Sequence, residues 1–455
     1  MIRPPFPPGP SALTALREMT PRHNLARIPT FLERTAREYG PVSSWRLPRV
    51  RMWLFDEPEL IDQLLTASGY DVVKSRGLRR MRRLLGEGLL TADEPVHMRQ
   101  RRLVQPAFHR ERIGGYAATM IATSAEAASR LRAGETIAID ALMKRLTLRI
   151  AAATLFSADV EDDSDAIGAA TNEVMEVFPS SLGLFGELLD VIPFHPATRR
   201  FTRARARLDA VVFRVIEERR ARGGDQGDLL STLLAARDEA GRPMPDERVR
   251  DEVLTLLLAG NETTSNALAW SWDALARNPA AETALHAELD RVLGDRDPTP
   301  ADVARLSATR DIVAETLRLR PPAWILGRRV IRPVSLGAWE LAPGSVALAA
   351  PIVTQRNPRW WREPELFRPE RWSNGETADL PRGAYFPFGG GSRICIGEGF
   401  AWTEAILVLA TLARRFRFEA LDHTPVPLDP LVTLRPGRPI RMRVHPRIPG
   451  AVVSV

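Results

Sequence analysis

Apolar positions recur at three- and four-residue intervals along most of the chain, the spacing that lines up one face of a helix turning every 3.6 residues. The pattern predicts helices over residues 101–133, 208–221, 280–293 and 402–416. The longest helical pattern starts near Pro245-Asp246 and runs to about Arg277, ahead of Asn278-Pro279. Roughly thirty residues of helix span about 45 Å, enough to cross a domain. Period-two alternation is confined to short stretches. Val42–Leu47 and Val50–Phe55 read as a hairpin around Pro48-Arg49, and residues 329–348 give further strands with turns at Gly337 and Pro343-Gly344. Residues 431–444 read as a last hairpin about Pro436-Gly437. The expected fold class is mainly α with a smaller β region, built on a long central helix.

That long helix carries a flaw. Gly260 costs about 1 kcal/mol in a helix interior relative to alanine, and Thr263 and Thr264 have hydroxyls able to bond carbonyls a turn earlier and bend the helix. A local defect in a long helix suggests a site. An ordinary polar patch on an amphipathic helix gives the same pattern.

Cys395 is the single cysteine of 455 residues, so no internal disulfide forms. It sits in Phe-Pro-Phe-Gly-Gly-Gly-Ser-Arg-Ile-Cys-Ile-Gly, residues 386–397, a glycine-rich turn running into an apolar helix that opens at Gly397 and Glu398. Gly389, Gly390 and Gly391 let the backbone turn tightly and approach a flat ligand. The positive end of the helix beside the sulfur favours its ionisation. Without those flanks, a small buried apolar residue is the commonest fate of a lone cysteine.

The segment Phe388, Gly391, Arg393, Cys395 and Gly397 resembles the ligand loop of the cytochrome P450 family, Phe-x-x-Gly-x-Arg-x-Cys-x-Gly. Three further segments keep the family's order. Glu315-Thr-Leu-Arg318 precedes Pro321-Pro322; alone, it is equally an ordinary surface ion pair. Phe367-Arg-Pro-Glu-Arg-Trp372 supplies Arg371, which the resemblance joins to Glu315 and Arg318 in a buried brace for the cysteine loop. Ala259-Gly-Asn-Glu-Thr-Thr264 places Glu262 and Thr263 where the family's acid and alcohol organise water and protons for bound oxygen. The resemblance implies a haem b (iron protoporphyrin IX) with Cys395 as axial thiolate, cradled by Phe388, Gly389, Arg393 and Gly397. His97 and Arg101, four apart on a helical stretch, match the family's propionate pair. Arg329 resembles its third propionate arginine, with Arg328 beside it as the alternative.

Composition changes the picture little. With 44% hydrophobic and 26% charged residues, the chain is expected to be a globular protein with a large core, a single domain over residues 1–455 with a proline-rich start at 1–10. No apolar run reaches signal-peptide or membrane-spanning length, so a cytoplasmic protein is expected; a monomer is the expected state. The seven histidines include no pair at metal-binding helical spacing, which argues against metal hydrolysis. Sixty-three basic against 56 acidic residues leave +7. The arginines 76, 79, 80, 82, 83, 99 and 102 lack the aromatic interleaving that nucleic-acid binding needs. In the family, a basic face near the cysteine receives an acidic electron-transfer partner.

The function implied by the resemblance is monooxygenation of a hydrophobic metabolite in secondary metabolism, a terpenoid, fatty acyl chain or other lipophile. Electrons would come from NAD(P)H through a separate reductase and a ferredoxin or flavodoxin, because the chain contains no flavin or iron–sulfur module. Pocket candidates are Ala259, Ala323, Ile325, Leu326, Leu431 and Val432, with the apolar stretch 182–194 as a mobile cover. Two alternatives remain: a peroxide-using haem-thiolate peroxygenase, which lacks the acid–alcohol pair, and a non-catalytic haem sensor, which has no need of one.

Overall fold

The long helix forms over Asp246–Arg277, 32 residues, and packs against the helices Ile139–Phe156, Pro196–Arg222, Ser307–Leu319 and Glu398–Arg415. Asp246 and Glu247 in its first turn and Arg277 in its last complement the helix dipole. It ends where Asn278, preceding Pro279, leaves helical geometry at φ −130° and ψ 79°. Most of its side chains are buried on all sides, as an element crossing a core requires. Within the run from Glu252 to Leu275, Ala259, Gly260 and Thr263 are among the few that keep accessible surface, a gap in an otherwise buried helix. The computed structural model describes residues 6–19, 26–182, 195–237 and 240–447. Of the stretch expected as a cover, all but Leu182 lies outside the described residues.

Two helix predictions need correction. The expected helix 101–133 is broken into Val96–Val104, a 3₁₀ turn Gln105–Phe108 and Arg110–Ser129. Pro106 has no N–H for the helical ladder, and His109 is extended at ψ 150°. The helix predicted at 208–221 is the second half of Pro196–Arg222. Arginines crowd its first half, where Phe201 and Ala204 alone carry the buried face.

A five-stranded sheet flanks the helices in the order β1 (Val42–Leu47), β2 (Val50–Phe55), β5 (Val346–Ala349), β4 (Leu326–Val330), β3 (Val72–Lys74). β1 and β2 pair antiparallel from Val42 opposite Phe55 to Leu47 opposite Val50, with Pro48-Arg49 as the turn. β2 runs parallel to β5, and β4 is antiparallel to both β5 and β3, with Lys74 opposite Arg328. Gly337 and Gly344 take positive φ at the two predicted turns.

The last hairpin does not turn at Pro436-Gly437. Leu428–Pro430 pairs with Leu434–Pro436 across residues 431–433, while Arg441–Pro446 pairs with Phe416–Ala420 and Thr136–Ala138. An Arg435–Asp429 ion pair at 2.6 Å fixes that register, and Pro436 closes the strand. Among the described residues, no helix is long and apolar enough to cross a membrane.

Candidate functional site

Glu315, Arg318 and Arg371 meet in the interior. Arg318 grips Glu315 through two hydrogen bonds of 2.8 and 2.9 Å, and Arg371 Nε donates to the same carboxylate at 3.0 Å. Trp372 Nε1 and the Arg368 N–H complete its shell, each at 3.0 Å. All three charged side chains are essentially inaccessible, so the surface ion pair that the sequence also allowed does not form. The brace reaches the cysteine loop through Gln355. Its carbonyl accepts from Arg318 at 2.8 Å and its Oε1 accepts the Phe386 N–H at 2.9 Å.

The loop closes on itself where the Cys395 N–H donates to the Phe388 carbonyl at 2.9 Å. Gly391 has φ +64°, and a Cβ there would lie 2.2 Å from the Leu65 carbonyl oxygen. The close approach that this glycine permits is therefore to the end of helix Pro58–Thr66, where the sequence reading expected a flat ligand. Phe388 packs on Trp402 of the following helix, ring centroids 5.8 Å apart.

Cys395 keeps accessible surface although protein atoms crowd around its sulfur. Burial pushes its thiol up to about 11, and the Glu398 carboxylate adds to the rise. The Gly397 N–H and Arg101 act in the opposite direction. The easier ionisation expected from the helix end is thus outweighed by desolvation, and the thiolate needs a cation as partner.

Cationic groups gather beside it. Arg101 donates to the Ile394 carbonyl at 2.8 Å, and Arg393 donates to Ala92 at 2.7 Å. His97 Nδ1 lies 2.9 Å from Glu94, which is also 3.5 Å from Arg393. Arg393 Nη2 has no hydrogen-bond partner. Two residues that the sequence reading missed or left open join them. Lys74 donates to the Leu89 and Leu90 carbonyls, and Arg328 donates to the Gly327 carbonyl at 3.4 Å. Burial, then the neighbouring arginines, lowers Lys74 well below its ordinary range, Arg328 to about 10 and His97 to about 4. Arg329 is exposed on the other face of the same strand, so strand alternation turns Arg328, and not Arg329, toward Lys74 and Arg393. Five cations, Lys74, His97, Arg101, Arg328 and Arg393, face only Asp93 and Glu94 among the carboxylates that act on them, an imbalance that fits an anionic group.

On the long helix, Thr263 donates to the Ala259 carbonyl at 2.7 Å, the back-bond expected. Thr264 instead lies beside Glu404, whose carboxyl is raised well above its ordinary range by burial, with the Thr264 hydroxyl acting in the opposite direction. Glu262 is buried in a polar knot with Thr433 at 3.2 Å, Asn266 at 3.4 Å and Lys144 at 3.9 Å. Ala323, Ile325, Leu326, Leu431 and Val432 all keep accessible surface. Trp324 Nε1 donates to the Leu431 carbonyl at 3.1 Å, which brings the two apolar segments together.

Of the arginine cluster, Arg82 turns in to Asp93 at 2.9 Å and Arg83 lies over the Phe201 ring, leaving Arg76, Arg99 and Arg102 exposed. A separate cleft of about 480 Å³ between helices Arg110–Ser129 and Ile139–Phe156 contains none of the candidate residues. Among the described residues, no cluster of three His, Cys, Asp or Glu side chains forms a metal site.

Residues 7–442 match the family model described as Cytochrome P450. Cyclooctatin synthase of Streptomyces melanosporofaciens is 40% identical over 436 residues, covering 93% of this chain and 92% of the relative. Cyclooctat-9-en-7-ol 5-monooxygenase of the same organism is 36% identical, covering 90% and 89%. Pentalenene oxygenase of Streptomyces avermitilis is 33% identical, covering 94% and 95%.

Proposed function

The chain belongs to the cytochrome P450 family and is a monooxygenase, and we propose that it inserts one oxygen atom of O₂ into a terpenoid at a haem held by Cys395. When bound, a haem with a thiolate ligand supplies reductive oxygen activation, the sulfur pushing electron density that favours O–O cleavage. The chain's own residues do the rest. Gly397 N–H and Arg101 hold the sulfur and its loop, while Lys74, His97, Arg101, Arg328 and Arg393 take the propionates. Thr263 spends its proton on the Ala259 carbonyl, which leaves its oxygen free to accept from water in the pocket. Glu262 passes protons inward from the partly exposed Lys144 side. Ala259, Ala323, Ile325, Leu326, Leu431 and Val432 exclude water and hold an apolar skeleton.

The observation that carries this reading is the pairing of a lone thiol with five cations that outnumber their carboxylate neighbours Asp93 and Glu94. The names of the relatives, an oxygenase of pentalenene and a monooxygenase of an unsaturated alcohol, support a terpenoid over a fatty acyl chain. Exposed Arg76, Arg99 and Arg102 suit an acidic ferredoxin or flavodoxin whose reductase draws on NAD(P)H; steering of that kind chiefly raises the association rate.

The test is turnover of pentalenene, cyclooctat-9-en-7-ol and a fatty acid panel under ¹⁸O₂ with surrogate ferredoxin and reductase. A terpenoid product heavier by one labelled oxygen is expected. Oxidation of fatty acids alone would reject the substrate class, and a colourless protein after expression with haem precursor would reject the haem site.

A further inference from the structure

We propose that Thr433 is a positioning residue for proton delivery, its hydroxyl holding the Glu262 carboxylate in place from the substrate side of the pocket. The inference rests on the reading of Glu262 as the acid of the site. Thr433 follows the pocket candidates Leu431 and Val432 on the turn of the last hairpin. Its hydroxyl donates to Glu262 Oε1 at 3.2 Å and at the same time accepts from Asn266 Nδ2 at 3.2 Å, while Asn266 itself reaches Glu262 at 3.4 Å. The opposite carboxylate oxygen faces Lys144 at 3.9 Å. Glu262 is therefore held from two sides: by its own helix and the lysine, and by a turn belonging to another element.

That turn is itself fixed. The Leu434 N–H donates to the Pro322 carbonyl at 2.9 Å, and Trp270 Nε1 donates to the Leu434 carbonyl at 3.2 Å. Trp324 secures Leu431 in the same way. A glutamate has three side-chain torsions to restrain, and a relay needs one arrangement of them. Lys144 is half-buried and long, so alone it leaves the carboxylate free to swing; the buried Thr433 hydroxyl has little freedom. One peptide unit separates it from Val432, so a substrate seated on Val432 bears on the group that orients the acid.

The test compares Thr433→Val, Thr433→Ser and Glu262→Gln in the holoenzyme. Crystal structures report the Glu262 side chain, and NADH-driven oxygen consumption through a surrogate ferredoxin, with pentalenene as probe compound, reports the share of oxygen leaving as peroxide in H₂O and D₂O. Losing one buried hydrogen bond should raise that share about three- to tenfold in Thr433→Val, with a larger solvent isotope effect, and the serine variant should restore both. A Thr433→Val enzyme with Glu262 unmoved, or with wild-type peroxide release while Glu262→Gln is uncoupled, overturns the role of Thr433. A coupled Glu262→Gln enzyme overturns the reading of Glu262 instead, and the proposal with it.

Discussion

Arg318 and Gln355 hold each other reciprocally: Arg318 Nη1 donates to the Gln355 carbonyl at 2.8 Å, and Gln355 Nε2 donates back to the Arg318 carbonyl at 3.2 Å. Because Gln355 also accepts the Phe386 N–H, it transmits the rigidity of the brace to the loop that ends at Cys395.

Gln355→Leu should therefore uncouple the loop without dissolving the brace. It strands the buried Phe386 N–H at a cost of about 1–3 kcal/mol. The variant is expected to fold, with a lower Tm and a lower haem-to-protein ratio by absorbance. Arg318→Ala should do worse, because it takes one of two cations from buried Glu315, leaving Arg371, and strands the Gln355, Pro364 and Leu366 carbonyls, at a cost of about 3–5 kcal/mol. Full pigment content in both would detach the brace from the loop.

Arg328→Ala and Arg329→Ala separate neighbouring positions on one strand. The first removes a buried cation beside Arg393 and should speed haem loss to an apomyoglobin acceptor several-fold. The second removes an exposed guanidinium and should leave the rate unchanged. Equal rates would refute the assignment of Arg328.

Cys395→Ser exchanges the sulfur for an oxygen in the same turn. The red-shifted Soret band of the reduced carbon monoxide complex should disappear while the fold, read by far-ultraviolet circular dichroism, persists. An unchanged spectrum would remove the ligand assignment.

Glu252 gives the chain a pH signature. Burial, only partly offset by the Leu89 N–H, raises its carboxyl from 4.5 to about 7. The folded chain thus keeps a proton that the unfolded chain has released, and between those values stability falls as pH rises. Glu252→Gln removes this slope, so its stability relative to the parent should improve by up to about 3 kcal/mol between pH 4.5 and 8 in urea unfolding. A pH-independent difference would show that Glu252 titrates normally.

Local patterns carried much of the fold. Val42–Leu47 and Val50–Phe55 flank a Pro-containing turn and pair as read. The long helix is bounded by prolines at 245 and 279, and its limits follow from them. What the sequence concealed depends on contacts between distant segments. Gln355 and Thr433 are common polar residues whose importance comes from partners 31 and 171 positions away. The choice between Arg328 and Arg329 needed the strand's phase, one residue of register. Cys395 could be singled out by its glycines, but the sign of its shift depended on how completely protein surrounds it.

Three of the cations beside the thiol, Lys74, His97 and Arg101, come from the first quarter of the chain, whereas Arg328, Arg393, the thiol and its brace come from residues 315–395. A nascent chain accordingly has no complete site until residue 395 has emerged and packed back against residues 74–101. A gene cut at the Gly223–Gly227 loop should therefore yield two colourless halves that redden only when mixed.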